Sequence, residues 1–240
     1  MASESSQVLS PPGGRESASP PRRLPGRRFW AWVAILAQVV FVAAWVAAGF
    51  WQGPRYSPMA DAISDMYAVG VPHASFLVQV FTDAGAATML FALLSLWPAL
   101  RGGGRAAGVG SVLLALSVAG LGNLLSPAER LACRISDPGC TTALQLSNSG
   151  GKLDSILTTG GAVLLVVAGF LLAAAMRRLP AWRSWVRPVR WTTALIFLLL
   201  AGDALTGGSG YSGLFERVFA AVAAAAIAAL AVGVLRRTPR

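Results

Sequence analysis

Apolar residues run along this chain in six long stretches separated by short polar segments. They extend from Trp30 to Trp51, from about Ser75 to Trp97, from about Ala106 to Leu125, from about Leu153 to Met176, from Val189 to about Leu205, and from Leu214 to Leu235. Roughly 20 apolar residues carry a helix across a hydrocarbon layer of about 30 Å. Unpaired backbone groups are so costly in lipid that such runs must be helices rather than open strands. The pattern therefore predicts an all-α, polytopic, six-transmembrane-helix bundle over residues 30–235, with connections too short for a separate soluble domain.

Residues 1–29 are rich in Ser, Pro, Gly and Arg, lack an apolar period, and are expected to form a disordered tail. Residues 236–240 form a second short tail. The first apolar run is longer than the core of a signal peptide, so retention of the first helix is expected. Composition agrees: of 240 residues, 55% are hydrophobic and 12% charged, and the mean hydropathy is +0.61.

The net charge of +10 would suggest nucleic-acid binding if it were spread over a soluble surface. It is not. Of the 20 basic residues, all but Arg55, Arg130, Arg134, Lys152 and Arg217 fall in the two tails and in the connections after the second and fourth spans. By the positive-inside rule, both termini are expected to be cytoplasmic in a multi-pass plasma-membrane protein. Its partners are then membrane lipids, with basic loops beside anionic headgroups, and not nucleic acid.

The acids segregate the other way. Glu4 and Glu16 lie in the tail, while Asp61, Asp65, Asp83, Glu129, Asp137, Asp154, Asp203 and Glu216 all map to the opposite end of the bundle. Acids follow the topology rule weakly, so orientation alone does not account for this. Asp83 and Asp203, near helix interiors, are expected to line a polar interior. Asp154 and Glu216 are read either as complements to helix dipoles in first turns, or as partners of Lys152 and Arg217, or as members of a site.

Asp61 and Asp65 would share a face if their loop were helical. His73, the single histidine, stands at the mouth of the second helix and Asn123 near the outer end of the third. The candidate ligand-binding set is therefore Asp61, Asp65, His73, Asp83, Asn123, Asp154, Asp203 and Glu216. Cys133 and Cys140 flank a turn-forming Asp-Pro-Gly in an outer loop, where a local disulfide is expected. One histidine is too few for a tetrahedral zinc site, and no pattern indicates a nucleotide, haem or flavin, so no metal and no cofactor are expected.

The segment "YSPMADAISDM" followed by "GVPHASF", a glycine-bearing second helix, a proline after the third and a cysteine-containing loop resemble the bacterial integral membrane proteins grouped as domain of unknown function 998. The similarity extends over about residues 30 to 235, with its best motif from Tyr56 to Asp65. The resemblance implies a six- or seven-helix bundle with an outward first loop and brings no established reaction. Members often carry a histidine leading into the fourth helix, where this chain reads "GGKLDSI".

Three functions fit these residues. The first is an extracytoplasmic acidic site that binds a lipid headgroup, a cation or a small polar ligand. The second is a proton- or cation-coupled transporter, against which stands the lack of acids in the inner half. The third is a carboxylate-based membrane hydrolase or transferase, for which no nucleophile and base can be paired from sequence. A binding protein, rather than an enzyme, is the expected class.

Overall fold

A computed structural model describes residues 26–206 and 210–237. The expected tail of residues 1–29 lies outside these except for Gly26–Phe29, which already belong to the first helix, and Arg236 and Arg237 complete the last. Each long helix is counted with the 3₁₀ or π turns that continue it. They are α1 (Gly26–Trp51), α2 (Ala74–Gly103), α3 (Arg105–Gly122), α4 (Ser149–Arg177), α5 (Pro180–Leu205) and α6 (Ser212–Arg237). All six are long and apolar enough to cross a membrane, and the described residues contain no strand. The chain is a multi-pass helical membrane protein.

Sequence neighbours pack side by side, α1 with α2, α2 with the end of α3, α3 with α4, α4 with α5 and α5 with α6, and the contact of α1 with α6 closes the ring. One end carries Arg101, Arg105, Arg178 and Arg237, and is called the arginine end. The other, the loop end, carries the connections 52–73, 123–148 and the turn before Ser212. Toward the arginine end the core is built on Phe91, Leu96, Leu100, Leu172, Met176 and Ile227, and toward the loop end on Phe41, Met66, Tyr67, Leu77 and Phe81. The alanines of α6 permit close approach: Ala223, Ala224 and Ala231 are all buried.

The helix ends depart from the apolar runs in informative ways. α2 continues through a π turn at Ala92–Leu96 and past Pro98 to Gly103, because Pro98 stands in the first turn of the resumed helix, where its missing N–H is not required. α3 breaks earlier than expected. Ser117 is extended (ψ 174°), its hydroxyl donates to Leu114 O at 2.7 Å, and a π turn follows over Val118–Gly122. Gly85 of α2 makes room for this bulge, since a Cβ there would stand 2.6 Å from Gly120 O.

α4 starts at Ser149, capped by Asn148, whose Oδ1 accepts from Gly151 N at 2.7 Å. α6 starts at Ser212. Asp154 and Glu216 therefore stand beyond the first turns of their helices, which contain no acid. Dipole compensation, one of the expected reasons for them, fades over that distance.

Candidate functional site

The loops at the acidic end are not a fringe of solvated turns. Cys133 and Cys140 form a disulfide, with Cα atoms 6.1 Å apart, closing the second loop on itself. Val69 N donates to Leu131 O at 2.9 Å and Ala132 N to Gln145 O at 3.1 Å, so the first and second loops share a backbone seam. Asp65, 1% exposed, sits under this seam. Its Oδ2 accepts from Ala62 N at 3.1 Å, and its Oδ1 from Ile135 N at 3.1 Å and Gln145 Nε2 at 2.6 Å. Burial nonetheless pushes its carboxyl up to about 6, against the pull of those two backbone amides.

The arginines of this end act as staples on backbone carbonyls. Arg130 donates from Nε to Tyr67 O and from Nη2 to Ala68 O, each at 3.0 Å. Arg134 reaches Gln52 O at 2.7 Å and pairs with Asp137 at 2.6 Å. Arg217, 9% exposed, donates from Nη1 to the carbonyls of Pro58, Asp61 and Gly213, and from Nη2 to the Tyr56 hydroxyl. A side chain at position 213 would collide with the Asp61 backbone, so the glycine is what lets the first loop rest on α6.

The two local ion pairs expected from sequence are absent. Arg217 turns to carbonyls, and its neighbour Glu216 accepts from Ile63 N at 2.9 Å. Lys152 is exposed whereas Asp154 is buried, as two positions apart on a helix dictates.

Beneath the loops lies a cavity of about 90 Å³ whose wall includes Glu129, Asp154, Glu216, Tyr67, Asn123 and Thr158. Ser64, Asp154 and Thr158 also line a wider vestibule of about 590 Å³ that includes Asp61, Asp65 and Gln145. Asp154 thus stands between the two spaces. Among the described residues, no guanidinium forms an ion pair with the three cavity acids. Glu129 is 4% exposed and its Oε1 has no hydrogen-bond partner, and no donor among the described residues lies on the Asp154 carboxyl.

Burial, together with the charge of Asp154, pushes the Glu129 carboxyl up to about 8. The same environment holds the Tyr67 hydroxyl well above its ordinary value, through burial first and then the charges of Asp154, Glu129, Glu216 and Asp65. Tyr67 therefore keeps its proton beside the acids of the same wall.

Of the residues singled out from sequence, the structure brings Asp154, Glu216 and Asn123 to the cavity and Asp61 and Asp65 to the vestibule. It does not bring Asp83 there. That residue is exposed on the outer side of α2, where it accepts from Gln79 Nε2 at 3.0 Å, and the inward placement expected for it is corrected. Asp203, on α5, lines neither space. His73 is exposed at the start of α2 in a left-handed conformation (φ 57°), beside the Trp51 ring at 6.0 Å. Asp61 and Asp65 do not form a helical pair, since only Ser64–Tyr67 makes a 3₁₀ turn, and Asp61 instead accepts from Ser57 N at 2.7 Å.

Glu129 was not among the sequence candidates. It lies in a loop without periodicity, and its burial arises only once the loops are folded over the bundle. Among the described residues, no three His, Cys, Asp or Glu side chains converge closely enough to hold a metal ion.

No curated protein and no solved structure matches the chain. Residues 35–233 match the family described as protein of unknown function DUF998. Since that match spans most of the chain, including every residue that walls the cavity, the protein belongs to the DUF998 family.

Proposed function

We propose that this protein is a membrane-embedded binding protein whose ligand carries positive charge and occupies the cavity walled by Glu129, Asp154 and Glu216. The observation that carries this reading is the buried Glu129 carboxyl, whose Oε1 has no partner while the nearby guanidiniums are locked onto carbonyls. A buried polar atom left without a partner costs about 1–3 kcal/mol, and a cationic ligand supplies what is missing. By the positive-inside rule, the arginine end faces the cytoplasm and the vestibule opens to the extracytoplasmic water. The chain then sits in the plasma membrane with both tails inside.

Two experiments test this. In the first, cationic, neutral and anionic small polar probes are added to the purified chain in nanodiscs, and the thermal midpoint is followed. Cationic probes should raise it in wild type and not in Glu129→Gln; equal shifts from probes of all charges would exclude a cation site. In the second, Thr142→Cys is labelled with a membrane-impermeant maleimide on intact cells. Protection from the outside would reverse the proposed orientation.

A further inference from the structure

Resting on the reading of this cavity as a cation site, we infer that the cation is an organic ammonium group, the charged end of an amine or quaternary-ammonium compound. Three observations converge. The first is the spacing of the acids. Glu129 comes from a loop, Asp154 from α4 and Glu216 from α6, and they do not close on a common metal position. A bare calcium or magnesium ion needs several oxygens at about 2.0–2.6 Å, which acids on separate walls do not supply. An ammonium bearing carbon substituents has its charge spread over a larger radius and is balanced by carboxylates that surround it at a distance.

The second is the rest of the wall. Phe41, Tyr67 and Phe81 line the same cavity. Phe81 lies 4.8 Å from Phe41 with their planes at 54°, and 5.4 Å from Tyr67 with their planes at 74°. Rings inclined to one another in this way do not stack, and all three border the cavity. Aromatic rings beside acids attract alkylated ammonium groups, and a strongly hydrated inorganic ion gains little from them.

The third is size and access. On a scale where one water needs about 10–15 Å³, a cavity of about 90 Å³ admits a group of roughly six heavy atoms. The remainder of the ligand would extend past Ser64 and Thr158 into the vestibule, whose volume is about 590 Å³. The Asp154 carboxyl, shared by both spaces, marks the passage.

The test uses the full chain in nanodiscs of phosphatidylglycerol alone, at alkaline pH. Tetramethylammonium, choline and ethanolamine are compared with sodium, potassium, magnesium and calcium chlorides at matched ionic strength, with thermal midpoint as the first readout. The ammonium probes should raise the midpoint in a saturable manner and the salts should not. Saturation-transfer NMR on the tetramethylammonium methyl protons gives a second readout that does not depend on a variant folding. It should show contact in wild type, displaced by choline and lost in Glu129→Gln.

Phe81→Leu, which keeps the apolar volume, should weaken tetramethylammonium about tenfold. If an inorganic cation stabilises the chain and the ammonium probes do not, the ammonium assignment falls while the cation site stands. If no cation of either kind binds, both fall. Repeating the titration in phosphatidylcholine nanodiscs separates the sources. Loss of the response to added choline there identifies a lipid headgroup as the natural occupant, and an unchanged response identifies a free small molecule.

Discussion

The backbone carbonyl of Asp61 accepts a hydrogen bond from Arg217 Nη1 at 2.7 Å, while the carboxylate of Asp61 turns to the amide of Ser57, also at 2.7 Å. An aspartate and a buried arginine in contact thus do not form an ion pair. The guanidinium is satisfied by three carbonyls and a tyrosine hydroxyl, and its Cζ lies 5.6 Å from the Tyr56 centroid.

This arrangement makes Arg217 a fastener of the first loop. Arg217→Lys cannot span the same acceptors and should lower stability by about 2–4 kcal/mol, with faster proteolysis between residues 54 and 62. Tyr56→Phe removes one acceptor and should cost about 1 kcal/mol. Thermal melts and limited proteolysis in detergent check both. Equal melts for wild type and Arg217→Lys would show that the staple contributes nothing.

Asp65 and Glu129 are both deeply buried acids, but their surroundings differ. Three donors occupy the Asp65 oxygens. Asp65→Asn places an amide against one of those donors and should cost about 1–3 kcal/mol. Because the change is in the bracing of the loops, affinity for a cationic probe measured below the melting range should stay within about threefold of wild type.

Stability should fall as pH rises. The Glu129 carboxyl is held up from 4.5 to about 8, and that of Asp65 from 3.8 to about 6. A raised folded-state value means that the folded chain binds the proton more tightly than the unfolded one. The Glu129 part of this stability is fully present below pH 4.5 and is lost as pH rises through about 8, and the Asp65 part is fully present below pH 3.8 and is lost through about 6. Glu129→Gln should flatten the upper part of this profile, removing a loss on the order of 1–3 kcal/mol once partial hydration of the cavity is allowed for. A cationic ligand should bind more tightly at pH 8.5 than at 5.5, since it replaces the proton on the Glu129 carboxyl. Unchanged affinity across that range would contradict this exchange.

Reduction of Cys133–Cys140 should free the segment that carries Arg134 and Ile135, and with it the bonds to Gln52 and Asp65. Closing so short a loop contributes about 2–3 kcal/mol. The reduced chain should melt earlier and be cleaved first within this loop. An identical cleavage pattern before and after reduction would show that the seam holds by itself.

Gly85→Ala places a methyl 2.6 Å from Gly120 O and 2.8 Å from the Asn123 carbonyl carbon. Backbone on both sides cannot yield cheaply, so a loss of about 2 kcal/mol or more is expected. A melt within about a degree of wild type would show that the π turn of α3 shifts freely.

The six spans were legible in the sequence because lipid thickness imposes one length on all of them. The gathering of acids at one end was legible too, since loop order and helix direction follow from the spans. Asp83 was misplaced for a reason of phase. It stands two positions past the buried Phe81, about 200° around the helix. The pairing of Gln79 with Asp83 at i, i+4 was the available sign of an outward polar stripe. Glu129 was beyond reach of any such pattern, because its burial depends on contacts between segments far apart in sequence, among them Arg130 with Tyr67 and Asn148 with Arg130 O.

The closure of the ring by α1 against α6 bears on biogenesis. α1 enters the membrane with only one of its two lateral neighbours soon to follow, and the other is the last of the six helices to be synthesised. Phe41 on α1 and Glu216 on α6 belong to the same cavity wall. The cavity is thus walled on all sides only once α6 has docked against α1, and the five preceding helices by themselves would leave its acids open to one side.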